Sequence, residues 1–150
     1  MNRTSSALIS TSATPVSMIL TTEFGSLEIA GRVLLALLFL VSGLQKIGGY
    51  PGMVAYMSSF GLSGSLLPMV IATEVLGAIA IMVGWKTRIT AVLLAGYTVL
   101  TAIIFHRNFG DQTQAAMFLK NLSIAGGFLL LAANGAGPVS LDRRFSKSLR

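Results

Sequence analysis

The chain has 150 residues, 53% of them hydrophobic and 11% charged, with no cysteine and a net charge of +6. Its mean hydropathy of +0.77 leaves too little polar surface for a soluble domain of this length. The absence of cysteine excludes disulfide frameworks, thiol relays and cysteine-ligated metal centres within the chain. Long apolar runs between short polar breaks point instead to one all-α membrane domain, a small antiparallel helical bundle.

Residues 1–25, "MNRTSSALISTSATPVSMILTTEFG", are rich in Ser and Thr. "VSMIL" is too brief for a signal-peptide core and no small-residue cleavage site follows it, so a mobile tail is expected. The composition alone would also suit an organelle transit peptide. The membrane domain is expected over residues 26–140 and a basic cytoplasmic tail over 141–150.

The first span runs from about Ser26 to Ile47, "SLEIAGRVLLALLFLVSGLQKI". Arg32 lies roughly 9 Å inside its start at ~1.5 Å per residue, near enough to snorkel to the interface. Gln45 and Lys46 mark the other end. The following "GGYPGMVAYMSSFGLSGS" is too polar to span. Pro51 suits a first helical turn, and Met53, Val54, Met57 and Phe60 share a helical face. A short interfacial helix is expected between spans one and two.

Span two covers about Leu66–Val83, with Pro68 in its first turn and Glu74 near its middle. "GWKTR" makes a tight turn with Trp85 as an interfacial anchor. Span three, about Ile89–Phe105, carries Ala91 and Ala95 at a spacing that permits close helix contact. His106, Arg107 and Asn108 end it. Span four is Gln114–Asn134, and Lys120 and Asn121 stand side by side within it.

Four spans place both termini on one side. That side collects Arg3, Lys86, Arg88, Arg143, Arg144, Lys147 and Arg150, seven basic residues, whereas the opposite loops hold Lys46 and Arg107. Both termini are therefore expected in the cytoplasm. The same distribution assigns the positive charge to anionic lipid head groups rather than to nucleic acid.

A lysine in hydrocarbon costs several kcal/mol unless its ammonium finds water or a partner. Glu74 lies roughly 13 Å from the outer end of span two and Lys120 roughly 9 Å from that of span four, at ~1.5 Å per residue. An ion pair between Glu74 and Lys120, or a triad with Arg32, is expected. Such charges either pin helices together or mark a ligand or proton site. His106 is the only histidine, which excludes bis-histidine haem ligation within one chain. It suits an interfacial hydrogen-bonding role, or proton exchange and contact with a quinone oxygen. Tyr97 falls mid-span and needs a partner for its hydroxyl. Arg32, Lys46, Glu74, His106, Lys120 and Asn121 form the candidate set. No haem, flavin or metal of the chain's own is expected, since no metal, phosphate-loop or nucleophile motif is present.

These residues resemble those of the DoxX family of small four-helix bacterial membrane proteins. Arg32, "FLVSGLQK", "FGLSG", "ATEVLGA", "GWKTR", His106, "FLKNLSIAGG" and "GAGPVSLD" follow the family's order and spacing over about Ile29 to Asp142. The resemblance implies a bacterial inner-membrane protein related to a terminal quinol oxidase subunit, to thiosulfate–quinone oxidoreduction and to membrane oxidoreductase assemblies. Distant relatives look like assembly chaperones. The leading expectation is a membrane subunit of a quinone-linked redox system, with a quinone or small anion bound at the charged cluster. Its partners would be the bilayer, other oxidoreductase subunits or further copies of the chain. The rivals are a non-catalytic scaffold or assembly factor and a small-molecule transporter.

Overall fold

The computed structural model describes residues 15–148, and all the regular structure among them is helical. The helices are α1 (Pro15–Gly48), α2 (Tyr50–Ser59), α3 (Leu67–Val83), α4 (Thr87–Phe105), α5 (Gln112–Asn134) and α6 (Leu141–Ser148), with a 3-10 turn at Gly64–Leu66 ahead of α3. Four segments are long and apolar enough to cross a bilayer: Gly25–Gly48, Gly64–Val83, Thr87–Phe105 and Gln112–Asn134. α1 begins at Pro15, so residues 15–25, expected as the end of a tail, are helical. The N-terminal tail expectation otherwise lies outside the described residues. At the other terminus, the expected basic tail contains α6.

The four spanning helices form an antiparallel ring. α1 packs along α3, α3 on α4, α4 along α5, and α5 closes on α1. The shared core is built from Phe39, Ile81, Leu94 and Phe128 with Ala36, Ala78, Ala91, Ala95 and Ala125. The alanines let the backbones approach, as the Ala91–Ala95 spacing predicts, and the edge-on Phe39–Phe128 pair (ring centres 5.3 Å apart) fills the centre. Outward, each span presents large apolar side chains: Leu34 is 70% exposed, Leu76 65%, Leu93 65% and Leu130 68%. A surface of that kind is stable against lipid, not water. The chain is an integral membrane protein.

Two connections fix the ends. α3 stops at Gly84, whose left-handed backbone (φ 71°) turns the chain, and Trp85 N–H donates to Ala80 O at 2.9 Å. A side chain at Gly84 would also collide with the Arg32 guanidinium and with Ser140. α4 has no cap of its own. Asp142, from the start of α6, supplies one, accepting from Lys86 N–H at 2.6 Å and Thr87 N–H at 2.9 Å. At the far end of the bundle, Asp111 caps α5 by accepting from Thr113 N–H at 2.7 Å. There α2, the expected interfacial helix, lies across the bundle end with Met57 buried beneath it.

Candidate functional site

The site begins with a glycine. A Cβ at Gly43 would fall against the Val75 side chain and the Glu74 Cβ, so only glycine permits α1 and α3 to cross this closely. Ser42 and Lys46, one turn apart on α1, flank that crossing. Lys46 Nζ donates to Ser42 Oγ at 2.5 Å and to both Glu74 oxygens, Oε1 at 3.0 Å and Oε2 at 2.8 Å. From α4, Tyr97 donates its hydroxyl to Glu74 Oε1 at 2.7 Å. Glu74 is 4% exposed. All three ammonium hydrogens therefore have acceptors, and the carboxylate accepts from two helices at once.

The expected Glu74–Lys120 pair does not form. Lys120 Nζ is exposed and meets Met117 Sδ at 3.1 Å, while the only ion pair among the described residues joins Lys46 to Glu74. Counting depth along two helices placed Glu74 and Lys120 at similar levels, but depth does not say which face each helix presents. The Gly43 crossing turns Glu74 toward α1 and supplies Lys46 instead. The triad with Arg32 fails for a second reason. Arg32 lies at the terminal end of the bundle, 3% exposed, and donates to Val139 O at 2.7 Å.

Lys46, Glu74, His106, Lys120 and Asn121 nevertheless line one cavity of about 440 Å³ between α1, α2, α3, α4 and α5. Its walls are mainly apolar, from Phe39, Met57, Leu62, Val70, Leu100 and Ile104. The hydroxyls of Thr73, Thr98 and Thr101 are spent on backbone carbonyls of their own helices. His106 Nδ1 shares a hydrogen bond of 2.8 Å with Gln114 Oε1, which ties the end of α4 to the start of α5. Tyr56 stacks on Phe105 with ring centres 5.4 Å apart, and Phe60 joins them, so α2 is held against the end of α4 beside the cavity.

Sequence reasoning included Tyr97 as a mid-span hydroxyl needing a partner, and Glu74 is that partner. It missed Ser42, whose signal was available: a hydroxyl one helical turn before Lys46. It also treated Asp142 only as part of the closing motif, although that carboxylate caps α4. No cluster of three His, Cys, Asp or Glu side chains that could hold a metal occurs among the described residues.

The DoxX family model matches residues 27–107, from early α1 to the end of α4. That span holds Ser42, Lys46, Glu74 and Tyr97 together with the Gly43 crossing. The chain belongs to the DoxX family. Among its relatives, the inner membrane protein YqjF of Escherichia coli K12 is 47% identical over 119 residues, covering 79% of this chain and 92% of that one. The inner membrane protein YphA of the same organism is 44% identical over 134 residues, 81% of this chain and 95% of that one. CatD of Bacillus subtilis, provisionally named an oxidoreductase, is 35% identical over 82 residues, 55% of this chain and 59% of its own length. No solved structure matches this DoxX protein.

Proposed function

We propose that this DoxX protein is a bacterial inner-membrane subunit of a quinone-linked redox system, and that the cavity beneath α2 binds the quinone. One observation carries the reading. The fold gathers Lys46, Glu74, His106, Lys120 and Asn121, drawn from four separated stretches of sequence, around a single apolar cavity. A volume of that size falls within the roughly 300–1,000 Å³ usual for small-molecule sites.

The donors present fit such a head group. Lys46 is saturated by Ser42 and Glu74, whereas among the described residues the Asn121 side chain makes no hydrogen bond and Lys120 meets only a thioether. Asn121 and Lys120 are thus the groups free to donate to carbonyl oxygens, and Phe39, Val70 and Leu100 offer apolar walls to a ring. A bound quinone would supply two-electron chemistry coupled to protons. The chain's part is to bind, orient and exclude water, and to keep a proton at Tyr97 Oη against Glu74 Oε1. Relatives named as inner membrane proteins, and one named provisionally as an oxidoreductase, support the location and the reaction class. The basic residues gathered on the terminal side support cytoplasmic termini, which puts the cavity in the outer half of the bilayer.

Purification in mild detergent, followed by extraction and identification of retained lipids, tests the reading. The wild type should retain a quinone, and a Lys120→Met/Asn121→Leu variant should fold and lose it. An oxidoreductase subunit should co-purify. A preparation free of quinone, with a protein partner that matures and then releases this chain, would make it an assembly factor.

A further inference from the structure

The terminal end of the bundle holds a second hollow, of about 930 Å³, between the start of α4, the α5–α6 connection and α6. Lys86, Arg88 and Arg143 line it, together with Glu28 and Asp142. The charges do not cancel by pairing. Among the described residues, none of the three cations has a carboxylate within ion-pair distance, the only such pair there being Lys46–Glu74. Lys86 Nζ sits 5.5 Å above the Trp85 ring, and the Arg88 guanidinium lies against the Gly135 backbone.

The two carboxylates are occupied elsewhere. Asp142 caps the amino end of α4 through Lys86 and Thr87 N–H. Glu28 lies against Gly137 and, with Asp142, faces the charge of Arg32. Arg32 meets the lining residues Ser140 and Ala136 around Gly84, and among the described residues its Nε and Nη1 have no acceptors. Two anions are therefore matched by Arg32 and the positive end of α4. Lys86, Arg88 and Arg143 remain over, and they face into one concavity.

We infer that this hollow binds the phosphate of an anionic phospholipid. Arginine forks and a lysine converging on one space suit phosphate oxygens, which accept several charge-assisted bonds together. The position selects lipid over free phosphate. The hollow lies level with the ends of α3, α4 and α5, where head groups sit. Its lining includes Ile89, 64% exposed, and one turn further Leu93, 65% exposed, continues an apolar track down the lipid side of α4. Acyl chains can follow that track while the phosphate stays on the arginines. Val139 and Phe145, sequence neighbours of the lining residues Pro138, Ser140 and Ser146, add exposed apolar side chains (59% and 58%) at this end of the bundle.

The full-length chain in mild detergent can be examined by native mass spectrometry with phosphatidylglycerol or phosphatidylcholine of identical acyl chains. Phosphatidylglycerol should stay bound at collision energies that strip phosphatidylcholine. Arg88→Gln/Arg143→Gln should lower its occupancy about tenfold, since each basic group near an anionic head group adds to the attraction. Arg88→Lys/Arg143→Lys should keep most of the binding, and Arg107→Gln, at the opposite end, should keep all of it. Should the double glutamine variant fail to fold, Ser146→Glu places a negative charge on the lining and should produce the same loss. Equal retention of both lipids, or equal loss in Arg107→Gln, would overturn the inference. So would displacement of phosphatidylglycerol by low-millimolar inorganic phosphate, which would make the hollow a site for a free anion.

Discussion

Lys46 Nζ lies 2.8 Å from Glu74 Oε2, across the point where Gly43 brings α1 against α3. The pair solves a problem set by the bilayer, since each charge alone in a low-dielectric interior would be costly. It also fixes the register of the two helices, because the ammonium reaches both carboxylate oxygens only when Ser42 and Glu74 face one another.

The first prediction follows from that pairing. Glu74→Gln and Lys46→Met should each destabilise the protein by roughly 3–5 kcal/mol, because each leaves its partner buried and unpaired. The double variant should recover much of the loss. Lys120→Met, on the exposed rim, should change stability by less than about 0.5 kcal/mol. Unfolding in mixed detergent micelles measures all four. Strict additivity of the single losses would contradict the pairing.

Gly43 and Gly96 make a matched test of the close crossing. A methyl at Gly43 meets Val75 and Glu74, whereas one at Gly96 meets nothing within 4 Å. Gly43→Ala should cost about 1–3 kcal/mol by overpacking. Gly96→Ala should be neutral or stabilising by up to about 1 kcal/mol, since alanine is the better helix former. Comparable melting temperatures for the two variants would mean that the crossing is looser than described.

Asp142, at the start of α6, ties that helix to the start of α4. Asp142→Ala removes the acceptor from Lys86 and Thr87 N–H and should cost about 0.5–2 kcal/mol. Asp142→Asn, which keeps an acceptor but loses the charge, should cost less. Hydrogen exchange should quicken at the start of α4 in the alanine variant. Unchanged exchange there would mean that α4 holds its first turn without help.

The proposed topology is open to direct labelling, because the chain has no cysteine of its own. A cysteine at the exposed Asn108 should react with an impermeant thiol reagent from outside the cell. One at the exposed Ser148 should react only after the membrane is opened. The opposite pattern would invert the orientation.

The architecture was legible because its signals are local and repeated. Four apolar runs, Pro51 and Pro68 in first turns and the Gly84 stop each declare an element within a few residues. The charged cluster was legible only as a membership. Lys46, Glu74, His106, Lys120 and Asn121 could be named from their position in or beside apolar runs. Which of them touch depends on the rotation of each helix about its axis. A single crossing, at Gly43, sets that rotation for α1 and α3, and no periodicity in either helix announces it. Arg32 stands at the wrong end for the same cluster because an arginine early in span one reaches the nearer interface, where Val139 offers a carbonyl. Asp142 could not be placed from sequence, since its partners lie 55 and 56 residues away.

The central claim, that the cavity lined by Lys46, Glu74, His106, Lys120 and Asn121 takes a quinone, is tested most directly by titrating a short-chain quinone analogue against melting temperature in native-like lipid. Val70→Phe reduces that cavity while retaining Lys46 and Glu74, and so separates cavity binding from partition into lipid. At 100 times its dissociation constant, a ligand specific to the folded state adds about 2.7 kcal/mol of stability, so the wild type should melt several degrees higher. Val70→Phe should fold and show no shift. A wild type that does not respond, or a Val70→Phe variant that responds equally, would contradict the account.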